Sequence, residues 1–138
     1  MELDSSDKKL IEMATKIVRE NADLRKSMHV VIASVVKAKS GKIYKGINIM
    51  TSHSICAEQV AIGQALACGE RELDTIVNVK INATDNSCRV VSPCGLCRYT
   101  FDKLKMKDLN VIVEDIKNNQ VLKVKAEELL PYPYSRNN

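Results

Sequence analysis

The sequence predicts an α/β protein in which helices flank a mostly parallel sheet. An amphipathic segment opens the chain, and between residues 43 and 113 segments of strand character alternate with segments of helix character. Strands and helices that alternate in this way are joined by crossover connections, which place helices on the faces of a sheet. Because 138 residues is the size of one ordinary domain, we expect a single domain spanning residues 1–138.

Each predicted element follows from local periodicity and turn residues. Residues 5–23 carry apolar side chains at helical spacing, residues 57–68 form an alanine-rich helix, and residues 93–104 form a third helix. The predicted strands, which alternate or are rich in β-branched residues, cover residues 29–38, 43–48, 76–82, 89–92, 111–113 and 121–125. The first two of these strands form a hairpin. A helical turn at residues 126–130 is stopped by Pro131.

Composition excludes several classes of protein. Hydrophobic residues make up 45% of the chain and charged residues 28%, which is typical of a globular domain. The net charge of +4 comes from scattered lysines and arginines, so we expect no nucleic-acid partner. Residues 1–9 are polar, and no segment has the roughly 18 apolar residues of a membrane span. With an odd number of cysteines, these features predict a cytoplasmic protein without a membrane partner.

A pair of thiols lies at the predicted start of the third helix. Ser92 is placed as its N-cap, Pro93 as its first residue, and Cys94 and Cys97 follow on one face. Side chains three apart on a helix are close enough to share one zinc ion, and a helix N-terminus favours thiolates. Alone, the pair is equally typical of half a structural zinc site or of a redox motif similar to thioredoxin's.

A third thiol changes the balance between these interpretations. Cys56 also opens a helix after a strand and loop, and such helix starts gather at one rim of a sheet. Glu58, two positions later, faces another way and is a poor fellow ligand, but it can reach an open metal position. Zinc with three protein ligands activates water, and an adjacent carboxylate can move its proton. A non-catalytic zinc domain used for assembly would need a fourth ligand, which only His53 or Cys88 could offer.

These residues resemble the cytidine deaminase superfamily. The resemblance is carried by Cys56-Ala57-Glu58 and by the later run from Ser92 to Arg98, which match the signature of zinc-dependent base deaminases. It implies a three-layer α-β-α fold with a mixed five-stranded sheet. It also implies Zn²⁺ held by Cys56, Cys94 and Cys97, with Glu58 as the proton shuttle. The implied activity converts cytidine or deoxycytidine to the uridine product and ammonia, in a homotetramer that takes a small-molecule nucleoside.

The resemblance also suggests substrate contacts and an alternative substrate. It places Asn48 where the family's loop contacts the sugar, and Tyr134 where an aromatic ring near the C-terminus lines the pocket. His53 is either a substrate contact, a fourth metal ligand or an ordinary loop residue. The family's usual Asn-x-Glu ends here in Met50, and its usual arginine after Cys-Ala-Glu is Gln59. With a shorter loop before Cys56, these departures resemble the blasticidin S deaminase branch, whose substrate is a modified cytosine nucleoside.

Overall fold

A computed structural model describes residues 1–135, so the last three residues of the predicted domain lie outside the described part. This described part contains four α-helices and six strands. In chain order they are α1 (Ser5–Glu20), α2 (Arg25–Met28), β1 (Ile32–Ala38), β2 (Ile43–Ile47), α3 (Ala57–Ala67), β3 (Leu73–Ile81), β4 (Cys88–Val90), α4 (Gly95–Lys103), β5 (Asn110–Asp115) and β6 (Gln120–Lys125). Short 3₁₀ turns cover Ala22–Leu24 and Ala126–Leu129.

The strands form one mixed sheet in the order β2-β1-β3-β5-β6, and the short β4 pairs with β3 beside this path. Of the strand pairs, only β3 with β5 is parallel within residues 1–135. The expectation of a mostly parallel sheet is therefore wrong. The mixed sheet is confirmed, but it has six strands and not five, because the short β4 also pairs with β3. Both β2 and β3 are antiparallel to β1, so they run in one direction, and the crossover through α3 joins them across the intervening β1.

Helices cover both faces of this sheet, which confirms the three-layer arrangement. On one face the apolar stripe of α1 packs on β1 and β3 around Leu10, Ala14 and Val18. On the other face α3 and α4 enclose a second core around Ile62 and Phe101. The described residues include no helix that combines the length and the apolarity needed to cross a bilayer.

Three predicted boundaries shift for identifiable reasons. The first helix ends at Glu20 because Asn21 caps it with non-helical backbone. The first strand begins at Ile32 because His29 adopts a left-handed φ of 66° at the end of α2. The third long helix begins after Cys94, which is its N-cap, so the assignment of Ser92 as N-cap is wrong. The Ser92 hydroxyl instead bonds the backbone of Glu114 on β5, at 3.1 and 3.2 Å.

The approach of α3 to the sheet is set by Gly46 on β2. A Cβ atom at this position would lie 2.5 Å from the backbone nitrogen of Ala61 and 2.6 Å from the carbonyl oxygen of Ala57. Both atoms belong to the α3 backbone, which cannot move aside as a flexible side chain would. Because Gly46 has no side chain, α3 can lie directly on β2. This contact sets the distance between the start of α3 and the sheet.

Candidate active site

Three cysteine sulfurs meet where α3 and α4 begin. Cys56 is the N-cap of α3, Cys94 is the N-cap of α4, and Cys97 lies one turn further into α4. The sulfurs of Cys56 and Cys94 are 3.5 Å apart, and all three lie within 4.8 Å of one another. The structure thus brings together the three thiols that the sequence singled out.

The short loop between β2 and α3 positions Cys56 in this cluster. Asn48 directly follows β2 and anchors the loop, because its side chain accepts a 2.8 Å hydrogen bond from the backbone N–H of Ile32 and donates a 3.0 Å one to the carbonyl of Val30. Paired backbone hydrogen bonds between Ile49 and Ile55 then close the loop into a narrow turn. The chain leaves this turn directly into α3, so the position of the Cys56 sulfur is fixed from both sides.

Burial opposes ionisation at this cluster. It raises the pKa of the Cys56 thiol to about 11, with the hydrogen bond to Cys94 adding to the effect. Burial and then the negative charge of Glu58 raise the pKa of Cys97 further. Burial also acts on Cys94, but hydrogen bonds from the Cys97 backbone N–H and the Cys56 thiol outweigh it and lower its pKa. A divalent cation among the sulfurs would reverse these preferences and favour three thiolates.

The donor set fits zinc. Tetrahedral zinc with bonds of about 2.3 Å to sulfur would place its sulfurs about 3.8 Å apart, close to the spacing here. Among residues 1–135, no fourth histidine, cysteine or carboxylate joins Cys56, Cys94 and Cys97 in the cluster. Neither His53 nor Cys88 is part of it. A site with three protein ligands leaves one position for water or substrate, which is typical of catalytic and not of structural zinc.

Glu58 lies beside the thiols in the first turn of α3. Its side chain is buried, with 6% of the residue exposed, and its Oε1 accepts a 2.7 Å hydrogen bond from Asn78 Nδ2. Burial raises the pKa of Glu58, while its own backbone N–H, Cys97 and Asn78 partly offset this effect by stabilising the carboxylate. A buried carboxylate of this kind can both accept and release a proton, as a general acid–base group must.

A cavity of about 300 Å³ opens onto this carboxylate and the first two thiols. This volume is at the lower end of the range for small-molecule pockets. The cavity is lined by aliphatic and sulfur side chains and a few polar ones: Val30, Ile32, Asn48, Met50, Ser54, Ile55, Cys56, Ala57, Glu58, Lys80, Arg89, Val91, Ser92 and Cys94. Among residues 1–135, no aromatic ring stands in this lining, and the two cations in it, Lys80 and Arg89, lie on β3 and β4.

Two of the predicted substrate contacts lie elsewhere. His53 is exposed on the loop before α3, where its ring nitrogen lies 3.3 Å from the Ser52 hydroxyl, and it does not line the cavity. Tyr134 is 69% exposed and also stands outside the lining. Its carbonyl accepts a 2.6 Å hydrogen bond from Lys103 on α4, and its ring lies near the same ammonium group. Asn48 alone of the three lines the cavity.

Two residues near the site have roles that the sequence did not indicate. Asn78 donates a hydrogen bond to Glu58. In the sequence it is a polar residue within an apolar strand, and this pattern does not indicate which residue it contacts. Gln59 closes a capping box with Cys56 and its side-chain amide donates to the Thr100 hydroxyl at 3.4 Å, so it joins the start of α3 to the middle of α4. Arg98 on α4 donates hydrogen bonds to the carbonyls of Pro93 and Leu129.

Comparison with known sequences agrees with this geometry. The model of the family described as "Cytidine and deoxycytidylate deaminase zinc-binding region" matches residues 4–113. The blasticidin-S deaminase of Bacillus cereus is 34% identical over 98% of this chain and 96% of its own length. The cytidine deaminase of Shewanella sediminis is 39% identical over 53% of this chain, and the matched part is only 23% of that longer relative.

Solved structures share this fold over about nine-tenths of the chain. The cytidine deaminase of Burkholderia pseudomallei superposes with a TM-score of 0.68 at 26% identity, covering 91% of this chain and 97% of that one. The cytidine deaminase of Bacillus anthracis superposes with a TM-score of 0.69, but its 17% identity supports the fold alone. The chain therefore belongs to the cytidine and deoxycytidylate deaminase family of zinc-dependent hydrolytic enzymes.

Proposed function

We propose that this enzyme converts cytidine or deoxycytidine to uridine or deoxyuridine and releases ammonia. One observation carries the proposal: a buried carboxylate, Glu58, and the thiols of Cys56 and Cys94 line the same nucleoside-sized cavity. We assign Cys56, Cys94 and Cys97 as the zinc ligands and Glu58 as the proton shuttle. We also propose that residues 1–138 form a single domain.

The chemistry requires two proton transfers. Zinc in this site would supply an electrophilic centre that lowers the pKa of water toward about 7. Glu58 takes a proton as the water oxygen bonds to the amino-bearing ring carbon, and it gives this proton to the adjacent ring nitrogen. Glu58 then carries the second proton from the new hydroxyl to the amino group, and the C–N bond breaks. The products are a ring carbonyl and ammonia, so Glu58 ends in its starting state.

Recognition of the nucleoside rests on fewer groups. Asn48 lines the cavity, and its amide keeps one N–H and one oxygen lone pair beyond its two backbone hydrogen bonds. We propose that these spare groups contact the sugar. Tyr134 is remote from the cavity of its own chain, so its proposed role requires the cavity of a second copy. His53 lies on the loop that lines the cavity through Met50 and Ser54, so we propose that its side chain contacts substrate by turning toward the cavity.

A second substrate is favoured by specific observations. The blasticidin-S deaminase of Bacillus cereus matches this chain over nearly its full length, whereas the Shewanella cytidine deaminases match about half of it. Met50 lines the cavity where the family's sugar-binding glutamate is expected, so a ribose hydroxyl has no carboxylate to bond there. Blasticidin S has the same aminopyrimidine ring on a different sugar. It is therefore the alternative substrate.

The experiment that tests the proposal compares four compounds with one aminopyrimidine ring. Ammonia release would be measured for cytidine, deoxycytidine, free cytosine and blasticidin S, each over a full concentration range. The proposal expects the highest kcat/KM for cytidine or deoxycytidine. A strong preference for blasticidin S would establish the alternative. Absence of ammonia from all four, with one zinc bound per chain, would instead support a non-catalytic zinc domain used for assembly.

We further propose a cytoplasmic homotetramer. Large apolar side chains stand exposed on several elements, among them Leu96, Leu104 and Ile116, and contacts between copies would cover such side chains. Clustered thiols that must stay reduced suit a reducing compartment. Sedimentation equilibrium would give the mass of four chains, and a monomer at micromolar concentration would reject the assembly. Fractionation of the source cells would test the compartment.

A further inference from the structure

Asn78 occupies an unusual place in the core. It lies in the middle of β3, only 1% exposed, and its neighbours Val77 and Val79 are buried apolar residues of the opposite face. Its side chain faces α3, where Nδ2 donates to Glu58 Oε1 at 2.7 Å. This hydrogen bond joins the central strand of the sheet to the buried carboxylate of the site.

The amide is only half satisfied. Within residues 1–135 the Oδ1 atom of Asn78 is buried without a hydrogen-bond partner. A buried polar atom that lacks a partner destabilises the fold, and an apolar residue of similar volume would avoid this loss. Packing alone therefore gives no reason for an asparagine at this position. The bond to Glu58 is the one contact of the Asn78 side chain that gives a reason.

A neighbouring residue provides the comparison. Ser34 on β1 is the register partner of Asn78, is fully buried on the same face, and also has an unpartnered side-chain oxygen among the described residues. Its hydroxyl makes no hydrogen bond to Glu58. Ser34 and Asn78 thus share their burial, their strand pairing and their polar character, but only Asn78 contacts the carboxylate.

We infer that Asn78 is a positioning residue that holds the Glu58 carboxylate in one orientation for proton transfer; this rests on the proposed role of Glu58. A glutamate side chain has three rotatable bonds, and its terminal torsion is broad. A fixed donor on a central strand removes this freedom at one oxygen and leaves the other oxygen to exchange protons. Because small errors in the placement of a general base reduce the rate of the chemical step, loss of this donor should lower kcat and leave KM little changed.

The test replaces Asn78 with an apolar residue of similar volume. Asn78→Leu removes the donor and the unpartnered oxygen together, and Ser34→Ala removes the neighbouring oxygen without touching Glu58. For N78L we expect bound zinc and a melting temperature at or above that of the wild type, KM within about threefold, and kcat lower by at least about tenfold. For S34A we expect kcat and KM of the wild type. N78A replaces N78L if the leucine variant does not fold.

A second measurement is independent of the substrate. Crystal structures of the zinc-loaded wild type and N78L would compare the Glu58 side chain directly. We expect one ordered rotamer in the wild type and a displaced or multiple conformation in N78L. An unchanged Glu58 rotamer in N78L would overturn the inference, as would a kcat within twofold of the wild type or an equal loss of kcat in S34A. A wild type that is inactive toward all four aminopyrimidine compounds would reject the proposed function, and the rotamer comparison would still decide the role of Asn78.

Discussion

Cys56 and Cys94 hold equivalent positions, since each is the N-cap of a helix and their sulfurs lie 3.5 Å apart. Each sulfur therefore lies beside the exposed backbone N–H groups of a helix start, which favour negative charge. The N-termini of two helices from separate parts of the sequence thus place their partial positive charges next to the same cluster of sulfurs. The arrangement suits a cluster of thiolates around a cation, and it can be tested by removing single members.

Glu58→Gln should separate metal binding from chemistry. Glutamine has nearly the same shape and can still accept the hydrogen bond of Asn78, but it cannot carry a proton. We expect one zinc per chain and a fall in kcat of at least about 10²-fold, which is typical for loss of a general acid–base group. Zinc analysis and ammonia release measure the two effects. Turnover at the wild-type rate would remove Glu58 from the mechanism.

Cys94→Ser should abolish both zinc binding and activity. The substitution is small, but it replaces the thiol with the depressed pKa by a hydroxyl that zinc binds poorly. Metal that binds only the folded chain also stabilises it, so a chelator should lower the melting temperature of the wild type and leave C94S unchanged. Cys68→Ser is the control, because Cys68 is exposed at the far end of α3. Stoichiometric zinc in C94S would contradict the ligand assignment.

Gly46→Ala should destabilise the fold by about 1–3 kcal/mol or more, because the new methyl group would overlap backbone atoms of α3. Gly63 offers a matched control in the interior of α3, since nothing lies within 4 Å of a Cβ there. Gly63→Ala should therefore stabilise the protein, by about 0.5–1 kcal/mol. Denaturant unfolding of the two variants measures both changes. Equal stability of G46A and the wild type would show that α3 can move outward freely.

Asp7→Asn should lower the free energy of unfolding by about 1–3 kcal/mol, since buried Asp7 accepts a 2.7 Å hydrogen bond from the largely buried Lys123 ammonium. The bond to Asp7 raises the pKa of Lys123 above its usual 10.5. The stabilisation is therefore complete below pH 10.5 and is lost as the pH rises through the folded-state pKa. The difference between the wild type and D7N should shrink over that alkaline range.

The exposed pair of Lys16 and Glu20 on α1 is the control for this prediction. Its side chains are 77% and 60% exposed, so Glu20→Gln should change stability by less than about 0.5 kcal/mol. Urea unfolding at neutral and alkaline pH measures both variants. If D7N lost no more stability than E20Q, the buried pair would not be a stabilising contact.

Met50→Glu should favour nucleosides with a ribose. A carboxylate in the lining of the cavity could accept a hydrogen bond from a sugar hydroxyl, and a bond to a charged group corresponds to about tenfold in kcat/KM or more. We expect this gain for cytidine and no gain for free cytosine, which has no sugar. A gain on both compounds would mean that Met50 acts on the ring and not on the sugar.

The sequence predicted the metal cluster because its determinants are local. Cys94 and Cys97 are one helical turn apart, and Cys56 begins another helix at the same end of the sheet. The order of the strands was not local, because β1 inserts between β2 and β3 through long-range pairing. A pattern of alternating strands and helices does not record such an insertion. The mixed sheet followed only from the family resemblance.

The supporting contacts of the site were hidden for a similar reason. In the sequence, Asn78 is a polar residue that interrupts an apolar strand. It bonds Glu58 only because α3 packs on the sheet, and this packing is not visible in the local sequence. Tyr134 was placed by resemblance to a tail that lines a pocket, but in one chain its tail lies along α4 through Lys103. The resemblance therefore did not indicate the contact of this tail with α4.

The contact of Gly46 with α3 also has a consequence for metal affinity. Cys56 is the N-cap of α3. Cys94 and Cys97 lie at the start of α4, which does not pack on β2. A displacement of α3 away from the sheet would thus move one sulfur of the cluster relative to the other two. The dissociation constant for zinc is therefore expected to depend on Gly46, although this residue binds no metal. A measurement of that constant would report the spacing between α3 and the sheet.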